Sequence, residues 1–432
     1  MNLSDRATKV NPMAPRSPVP RGGSAIRQAN LREHNLSLVL RLIVEAAVAP
    51  SRADIAATTG LTRATVSSLV DALIEAGLVT ELPPVMSQRA GRPAVPLVPA
   101  AGTVAAVGME VNVDYLGVRM VDLSGAVLAQ EIRDGDFRGS DPARVVPALA
   151  GLYRSVLDTV NGATDRSVRL AGSGLALPGL VDRTAGPVRL APNLGWRDVD
   201  VAGLFRTAVD PGGSAEASAP GPLDRPMLLD NEATLAARAE CDALRGLGVR
   251  TFLYLSGEVG VGGALVLDGA VFGGRHGWSG EIGHTVIDPD GPRCRCGATG
   301  CLEQYAGKDA LMRAGGLDLS LPIESLQRAA AAGDPAAVAS FAIAARALGT
   351  AIANAVNLVD VETVVLGGLY ATLAGELVPG IEQVLDQRVL AAPWSAIRVR
   401  SAVVREAAAM TGAASAVLTR VIDHPSDWMP RT

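Results

Sequence analysis

Lysine is almost missing from this 432-residue chain: Lys9 and Lys308 are the only two among 39 basic residues, the rest being arginine. A bias so general reflects composition rather than chemistry. Aromatic side chains are scarce as well, at 3%, so the cores must be built from the alanine, valine and leucine that dominate a 48% apolar content. Only four cysteines and four histidines occur. That count excludes the dense disulfide framework of a small secreted domain. The first thirty residues are polar, with Pro, Arg and Gly and without the apolar run of a secretory signal. No stretch reaches the roughly 18 uncharged apolar residues of a membrane span. Even "LSLVLRLIVEAAVA" is broken by Arg41 and Glu45. These absences lead to the expectation of a cytoplasmic protein without membrane association. The length calls for two or three compact units.

What charge there is lies unevenly. Residues 1–100 carry eleven Lys/Arg and seven Asp/Glu, a balance of +4, while the remainder carries −9. The N-terminal part is therefore the part suited to a polyanion. Residues 1–29 read as a mobile basic tail with no periodic apolar pattern. Over 30–100, Leu36, Leu38, Leu40, Ile43 and Val44 recur at helical spacing. "SRADIAATTG" then offers Ser51 as an N-cap and Gly60 as a helix stop. Thr62 caps a third helix whose buried stripe is Val66, Leu69, Leu73 and Ile74, and Gly77 ends it. "LVTELPPVMSQRAGRPAVPLVP" gives two short strands joined by a basic tip. Three helices and a hairpin of this size predict a winged helix-turn-helix. In that motif the second helix of the pair turns its N-terminal side chains toward base edges. The candidate DNA contacts are Thr62, Arg63, Thr65 and Ser68 at that front, Arg52 on the preceding helix, and Arg89 and Arg92 at the wing tip. Helix spacing, turn glycine, hydroxyl-and-arginine front and basic wing agree, which favours operator DNA over a bundle that merely packs on the next domain.

From Thr103 the pattern changes to strands and helices that alternate in two comparable halves. "DLSG" marks a hairpin turn, helices are expected near 142–160 and 231–246, and "TFLYLSGEVGVGGALVLDGAVFGG" reads as a second hairpin. The fold class is α/β over 103–425, in two lobes with a cleft between them. Residues 211–226 are a Pro/Gly/Ala/Ser loop expected to be mobile.

Three of the four cysteines and one of the four histidines collect in "GEIGHTVIDPDGPRCRCGATGCLE". His284, Cys294, Cys296 and Cys301 supply one imidazole and three thiolates, the ligand set of a closed structural zinc site. A Cys-x-Cys pair is too tight for an easy disulfide, and three thiols leave one over. Zn2+ would claim one nitrogen of His284 and leave the opposite N–H to donate in a fixed direction. Glu303 sits two residues after Cys301, and Glu281 three before His284. Two carboxylate acceptors around one fixed donor suit the vicinal hydroxyls of a sugar. Asn231 and Glu232 fit the N-terminus of the helix that follows them.

With these motifs in place the chain resembles the ROK family of repressors and sugar kinases along nearly its whole length. Glu281-Ile282-Gly283-His284 matches the family's E-x-G-H, and Cys294 through Glu303 its C-x-C-G-x-x-G-C-x-E. Pro178-Gly179-Leu180-Val181-Asp182 and Pro192–Trp196 fit two further motifs. The resemblance implies a two-lobed sugar-kinase-like fold of the actin-like ATPase type. It also implies structural zinc, and sugar hydroxyls held by Asn231, Glu281, His284 and Glu303 with Asn193 beside them.

The departures separate repressor from kinase. Where family kinases carry D-x-G-G-T, this chain reads Glu110-Val111-Asn112-Val113-Asp114, with both glycines gone. Side chains there obstruct the close backbone approach that phosphate needs. Glu232 stands where the catalytic Asp is expected, one methylene longer, and a displacement of about 1 Å can cost roughly 10²-fold in a positioned reaction. The resemblance therefore implies a non-enzymatic regulator of carbohydrate metabolism, acting on operator DNA as a homodimer or homotetramer. Its effector would be a sugar or its phosphorylated or amino derivative, Asn231 and Glu232 being compatible with sugar binding without phosphorylation. The rival is an ATP-dependent sugar kinase carrying a DNA-binding appendage. A third possibility is a vestigial cleft that serves only assembly. Cys241 reads as core, His276 as solvated, and Trp196 as lining the cleft or plugging a lobe interface.

Overall fold

The computed structural model describes residues 28–84, 94–163, 168–182, 186–210 and 227–430. The N-terminal tail to residue 27, the wing tip with Arg89 and Arg92, and the 211–226 loop lie outside these.

The reader domain is α1 (Gln28–Val44), α2 (Arg52–Thr59) and α3 (Arg63–Glu75), closed by β1 (Val79–Glu81) and β2 (Leu97–Pro99) in antiparallel register. Its local structure follows from its caps. Ser51 and Asp54 form a reciprocal capping box on α2, and Gly60 ends that helix with φ 71°, a left-handed conformation that costs glycine little. The Thr62 side chain accepts from the Thr65 N–H to start α3. Val66, Leu69, Val70 and Leu73 point inward from α3, and Ile74 is half-buried.

The first lobe begins with β3 (Val104–Val111), β4 (Tyr115–Asp122) and β5 (Val127–Asp134). β3 is buried at all eight positions, as its unbroken apolar run requires of a central strand. The lobe continues with α4 (Pro142–Ala163), β6 (Arg169–Leu177), and a small sheet of β7 (Leu180–Val181), β8 (Val188–Ala191) and β9 (Trp196–Val199). Next come α5 (Val201–Val209), β10 (Leu228–Asn231) and α6 (Glu232–Leu244). The second lobe holds β11 (Phe252–Gly257), β12 (Val261–Leu267), β13 (Ala270–Phe272), α7 (Glu303–Ala306), α8 (Lys308–Ala314), α9 (Glu324–Ala331) and α10 (Pro335–Val359). It closes with β14 (Thr363–Gly368), α11 (Leu369–Thr372), α12 (Ala374–Arg388) and β15 (Arg398–Ser401), before α13 (Ala408–Asp423) returns to the first lobe. The sheet orders are β10-β6-β3-β4-β5 and β13-β12-β11-β14-β15. Each is an antiparallel meander of three strands extended by two parallel ones, so the two-lobed α/β expectation holds.

The lobes and the reader are not independent bodies. α13 lies against β3 and β6 so closely that a Cβ on Gly108 would stand 1.8 Å from the Met410 carbonyl oxygen. On its other side a Cβ on Gly412 would meet the Leu235 carbonyl oxygen of α6 at the same distance. One apolar cluster then runs from Leu36, Leu40 and Leu73 of the reader through Val104 and Ala171 to Val417, Val421 and Trp428. Arg169, at the start of β6, bolts the junction. Its guanidinium donates to the carbonyls of Trp428 (3.0 Å) and Ala76, the residue that caps α3, and stacks over the Trp428 ring. Thr103 Oγ1 donates to the Gly77 carbonyl at 2.6 Å. The domain boundary near residue 100 is therefore a change of architecture within one core.

α10 is long and apolar enough to cross a membrane by length and composition, despite Arg346, which no run examined in the sequence anticipated. It is instead the central helix of the second lobe, with 61% of its most apolar window buried. A cavity of about 1450 Å³ lies between α1, β2, α6 and α13 and is lined by paired charges such as Arg245 and Asp242. It is an interdomain crevice, away from the cluster of chemistry-bearing side chains.

Leu36 is 1% exposed in the shared cluster. Leu36→Ala is expected to cost about 2–5 kcal/mol. Urea unfolding of the variant should show reader and first lobe melting together at lower denaturant. An early, separate transition for the reader alone would contradict the shared core.

Candidate functional site

On α3, Thr62, Arg63 and Ser68 are exposed and Thr65 is half-buried. Thr62 and Thr65 spend part of their hydrogen-bonding capacity on each other, 2.9 Å apart. Arg63 is left as the outward cation of that front. Arg52 is differently placed from the free contact expected of it. Its guanidinium donates to Asp71 (2.7 Å), to the Ser67 carbonyl (3.2 Å) and to Glu81 (2.9 Å). It braces α2 against α3 and β1.

The Cys/His loop is a small hairpin. Arg293 bridges Thr299 and Val286 bridges Cys301, while the Cys294 N–H donates to the Ala298 carbonyl at 2.8 Å. Gly300 makes this possible: it has φ 73°, and a Cβ there would stand 1.5 Å from the Asp288 carbonyl oxygen. The hairpin delivers the ligand atoms of His284, Cys294, Cys296 and Cys301 to within 4.8 Å of one another. Cys294 Sγ is 3.8 Å from His284 Nδ1, and Cys296 Sγ is 3.7 Å from Cys301 Sγ. Tetrahedral zinc with Zn–S bonds of about 2.3 Å sets sulfurs about 3.8 Å apart, so the donor set fits that ion. Burial, reinforced by the neighbouring thiols, pushes Cys301 up to about 12, and burial raises Cys294 also. Thiols so placed stay protonated unless a cation draws the proton off, which is what a bound divalent metal does.

Around this hairpin the cleft is acidic. Asn193 and the Val261 N–H donate to Glu303, and Asn193 Oδ1 accepts from Arg295 at the rim, 3.4 Å away. Burial raises the Glu303 and Glu281 carboxyls, and His284 works against that shift in both. Asn231 is the N-cap of α6: its Oδ1 accepts from Ala233 (2.8 Å) and Thr234 (3.3 Å), and its Nδ2 donates to the Gly179 carbonyl (3.0 Å). The cap role weighed in the sequence is thus occupied: both lone pairs of Oδ1 are spent, and the second N–H of Nδ2 is what a ligand would meet. Glu232 follows at the first position of α6. Burial holds its carboxyl well above the ordinary range, with Glu110, Glu258, Glu281 and Glu303 all contributing. The structure therefore gathers Asn193, Glu232, Glu281, His284 and Glu303 in one cleft, with Asn231 at its edge.

At the far end of the cleft the β3–β4 turn is filled by its own side chains. Asn112 and Val113 are buried where the phosphate loop of a kinase carries glycine. Glu110 is 3% exposed, accepts from Asn112 at 3.3 Å through Oε1, and leaves Oε2 without a hydrogen-bond partner. Glu258, in the β11–β12 turn, is a further acid of this cleft that the hairpin pattern of its stretch does not single out. Burial, with Glu110 and Asp114 nearby, lifts it to about 8 against the opposing pull of Lys308. Trp196 proves to be lobe core, its Nε1 donating to the Ser140 carbonyl at 3.0 Å. Cys241 is buried on α6, and exposed His276 leans on Trp278.

Two outcomes follow. Cys301→Ala should reduce bound zinc, measured by elemental analysis, from one ion per chain to a small fraction; full occupancy in the variant would exclude the hairpin as the metal centre. Glu258 sits at about 8 in the fold against an ordinary 4.5, so the folded chain keeps a proton that the unfolded chain releases between those values. Its contribution to stability falls as pH rises across that window and levels off above it. Glu258→Gln should flatten the fall in urea midpoint between pH 5 and pH 8, and an unchanged slope would show that the group ionises normally.

Comparison with known proteins places this geometry. The ROK family model matches residues 106–420, and an IclR helix-turn-helix domain model matches residues 37–83. A xylose repressor of Caldicellulosiruptor bescii is 28% identical over 91% of this chain and 98% of its own length. A solved ROK family transcriptional regulator, a homologue of the E. coli MLC protein, superposes with TM-score 0.72 at 27% identity over 91% of this chain and 97% of its own. A ROK family glucokinase from Streptomyces griseus, solved with glucose and AMPPNP, shares the fold at TM-score 0.59 and 22% identity, over 72% of this chain and 98% of its own.

Proposed function

The chain belongs to the ROK family, and from that premise we propose that it is a sugar-responsive, DNA-binding transcriptional repressor without kinase activity. The observation that carries this reading is the pairing of two sites in one chain. A helix front with exposed Arg63 stands at one end, and a Cys/His hairpin that aims an imidazole and two carboxylates into a cleft stands at the other.

In this reading α3 enters the major groove of operator DNA. Thr62, Arg63, Thr65 and Ser68 meet base edges or phosphates there, and Arg89 and Arg92 of the wing reach the backbone. Arg52 is left out of the contact set, because its partners hold it inside the domain. The protein acts as a homodimer in the cytoplasm, two reader domains meeting two half-sites. In the cleft, His284 gives Nδ1 to structural Zn2+ and keeps Nε2–H for a sugar hydroxyl, which Glu281, Glu303 and Glu232 complement as acceptors. Asn231 and Asn193 border the same ligand.

The acidity of the cleft selects the effector. Three thiolates, a neutral imidazole and Zn2+ sum to one negative charge, so the metal centre offers no seat to an anion. Glu110, Glu232 and Glu258 line the opposite end. A free sugar can satisfy these groups with hydroxyls, whereas a phosphate ester would set its charge against acids that burial already keeps from ionising readily. The sugar switches operator affinity only if it favours one arrangement of the lobes over the other. The kinase alternative has a filled phosphate turn and relatives named as repressors against it.

A panel of aldoses, each tested beside its phosphate ester, decides the reading. At least one free sugar should raise the melting temperature and change operator affinity in fluorescence anisotropy, while its ester does neither. Glu281→Gln should abolish the sugar response and leave operator affinity intact. Arg63→Ala should weaken operator binding and leave the sugar-induced thermal shift unchanged. Steady ADP release with any hexose, lost in Glu232→Gln, would overturn the non-enzymatic reading.

A further inference from the structure

Charge joins the two lobes at the rim of the cleft. Lys308 Nζ donates to Asp114 Oδ2 at 2.8 Å, linking the first residue of α8 in the second lobe to the β3–β4 turn of the first. Arg138, from the loop after β5, lies 3.2 Å from the other oxygen of Asp114 and 3.5 Å from Asp309. It also pairs with exposed Asp136 in its own loop. Two cations and two anions thus alternate across the gap between lobes. The side chains of Lys308, Asp114, Arg138 and Asp309 are between 16% and 33% exposed. Partial burial screens such a network less than an ordinary surface pair.

Backbone connections tie the network to the sugar residues. α7 begins with Glu303 and runs directly into Lys308, the Gly307 N–H donating to the Glu303 carbonyl at 3.0 Å. The Lys308 N–H donates to the Glu258 carbonyl at 2.9 Å. On the first lobe, the Asp114 N–H donates to Asn112, which in turn donates to Glu110. A displacement of Lys308 from Asp114 therefore carries Glu303 away from Asn193, its partner on the first lobe. Lysine suits this place. A point charge on a flexible stem can take one oxygen of Asp114 and leave the other to Arg138, where a second planar guanidinium would compete for both.

We propose that Lys308 is a positioning residue for the effector. Its ion pair with Asp114, braced by Arg138 and Asp309, clasps the lobes in the arrangement that sets Glu281 and Glu303 opposite Asn193 and Asn231. Lys308 touches no sugar in this scheme and acts through the helix that begins at Glu303. The inference rests on the sugar-binding reading above, but the clasp itself is a property of the protein without ligand.

The test uses full-length K308M, D114N, the double variant and K308R. The probe is whichever free sugar gives the largest thermal shift with the unmodified protein. Each single charge removal should weaken sugar binding about tenfold, and the double variant no more than either single one, because the two residues share one interaction. K308R should recover part of the loss, zinc content should stay at one per chain, and raising NaCl from about 50 to about 500 mM should weaken the unmodified protein but not the variants. Hydrogen exchange without sugar should quicken in residues 110–116 and 302–312 of every charge-removal variant. Additive losses, or unchanged affinity with unchanged exchange, would overturn the proposal. If no sugar binds the unmodified protein, the sugar reading fails, and exchange in the two segments alone decides whether the clasp exists.

Discussion

A neutral imidazole with one nitrogen committed to a metal has a single proton left to give, and the ring plane fixes where it is given. Much of the cleft is arranged around that constraint. His284 is held by the Nδ1 side, in a nest of three sulfurs. Glu303 follows the last of those sulfurs by two residues, so the hairpin that places the ligands also places a carboxylate. Glu281 precedes a short 3-10 turn that ends on His284 itself. In the proposed reading a metal bound by this loop, rich in Gly and Pro, would staple the sugar end of the molecule, where regular secondary structure contributes little. Burial raises the acids that surround the staple, which keeps the pocket polar while denying it a strong anion or cation partner of its own.

The distance between this pocket and the reading helix is spanned by one strand. β6 begins with Arg169, which donates to the last carbonyl of the α3 turn and stacks on Trp428. It ends at Leu177, two residues before the Gly179 carbonyl that accepts from Asn231. α13 lies along the same strand with its backbone almost in contact. A rearrangement of lobes that tilts β6 reaches the cap of α3 without passing through a flexible joint. Coupling of this kind needs a bistable element that both sites bias, and in the proposed reading the cleft between the lobes, with its ion pairs at the rim, is that element.

Much of this was legible in the sequence. The caps Ser51, Gly60 and Thr62, the "DLSG" turn and the two hairpins announced themselves through short-range chemistry that tertiary packing did not override. The metal cluster was legible for a different reason: cysteine and histidine are so rare here that their collection in one loop has no bland explanation. What stayed hidden was long-range. Arg52 looked like a phosphate contact because a sequence cannot say that Asp71 and Glu81 come within reach of it. Glu258 was masked by the glycines beside it. α13, apolar over much of its surface, gave no sign of which elements it would meet when it crosses back and welds reader to lobe. Asp114 and Lys308 stand 194 residues apart, and only folding makes them partners.

The most direct measurement is operator affinity with and without the effector sugar, taken on the zinc-loaded protein and again after chelation has removed the ion. The stapled hairpin lies far from the reading helix in sequence and architecture, so the stripped protein should still bind its operator. It should no longer respond to sugar, and added Zn2+ should restore the response. A sugar response that survives intact in protein shown to hold no zinc would contradict the account.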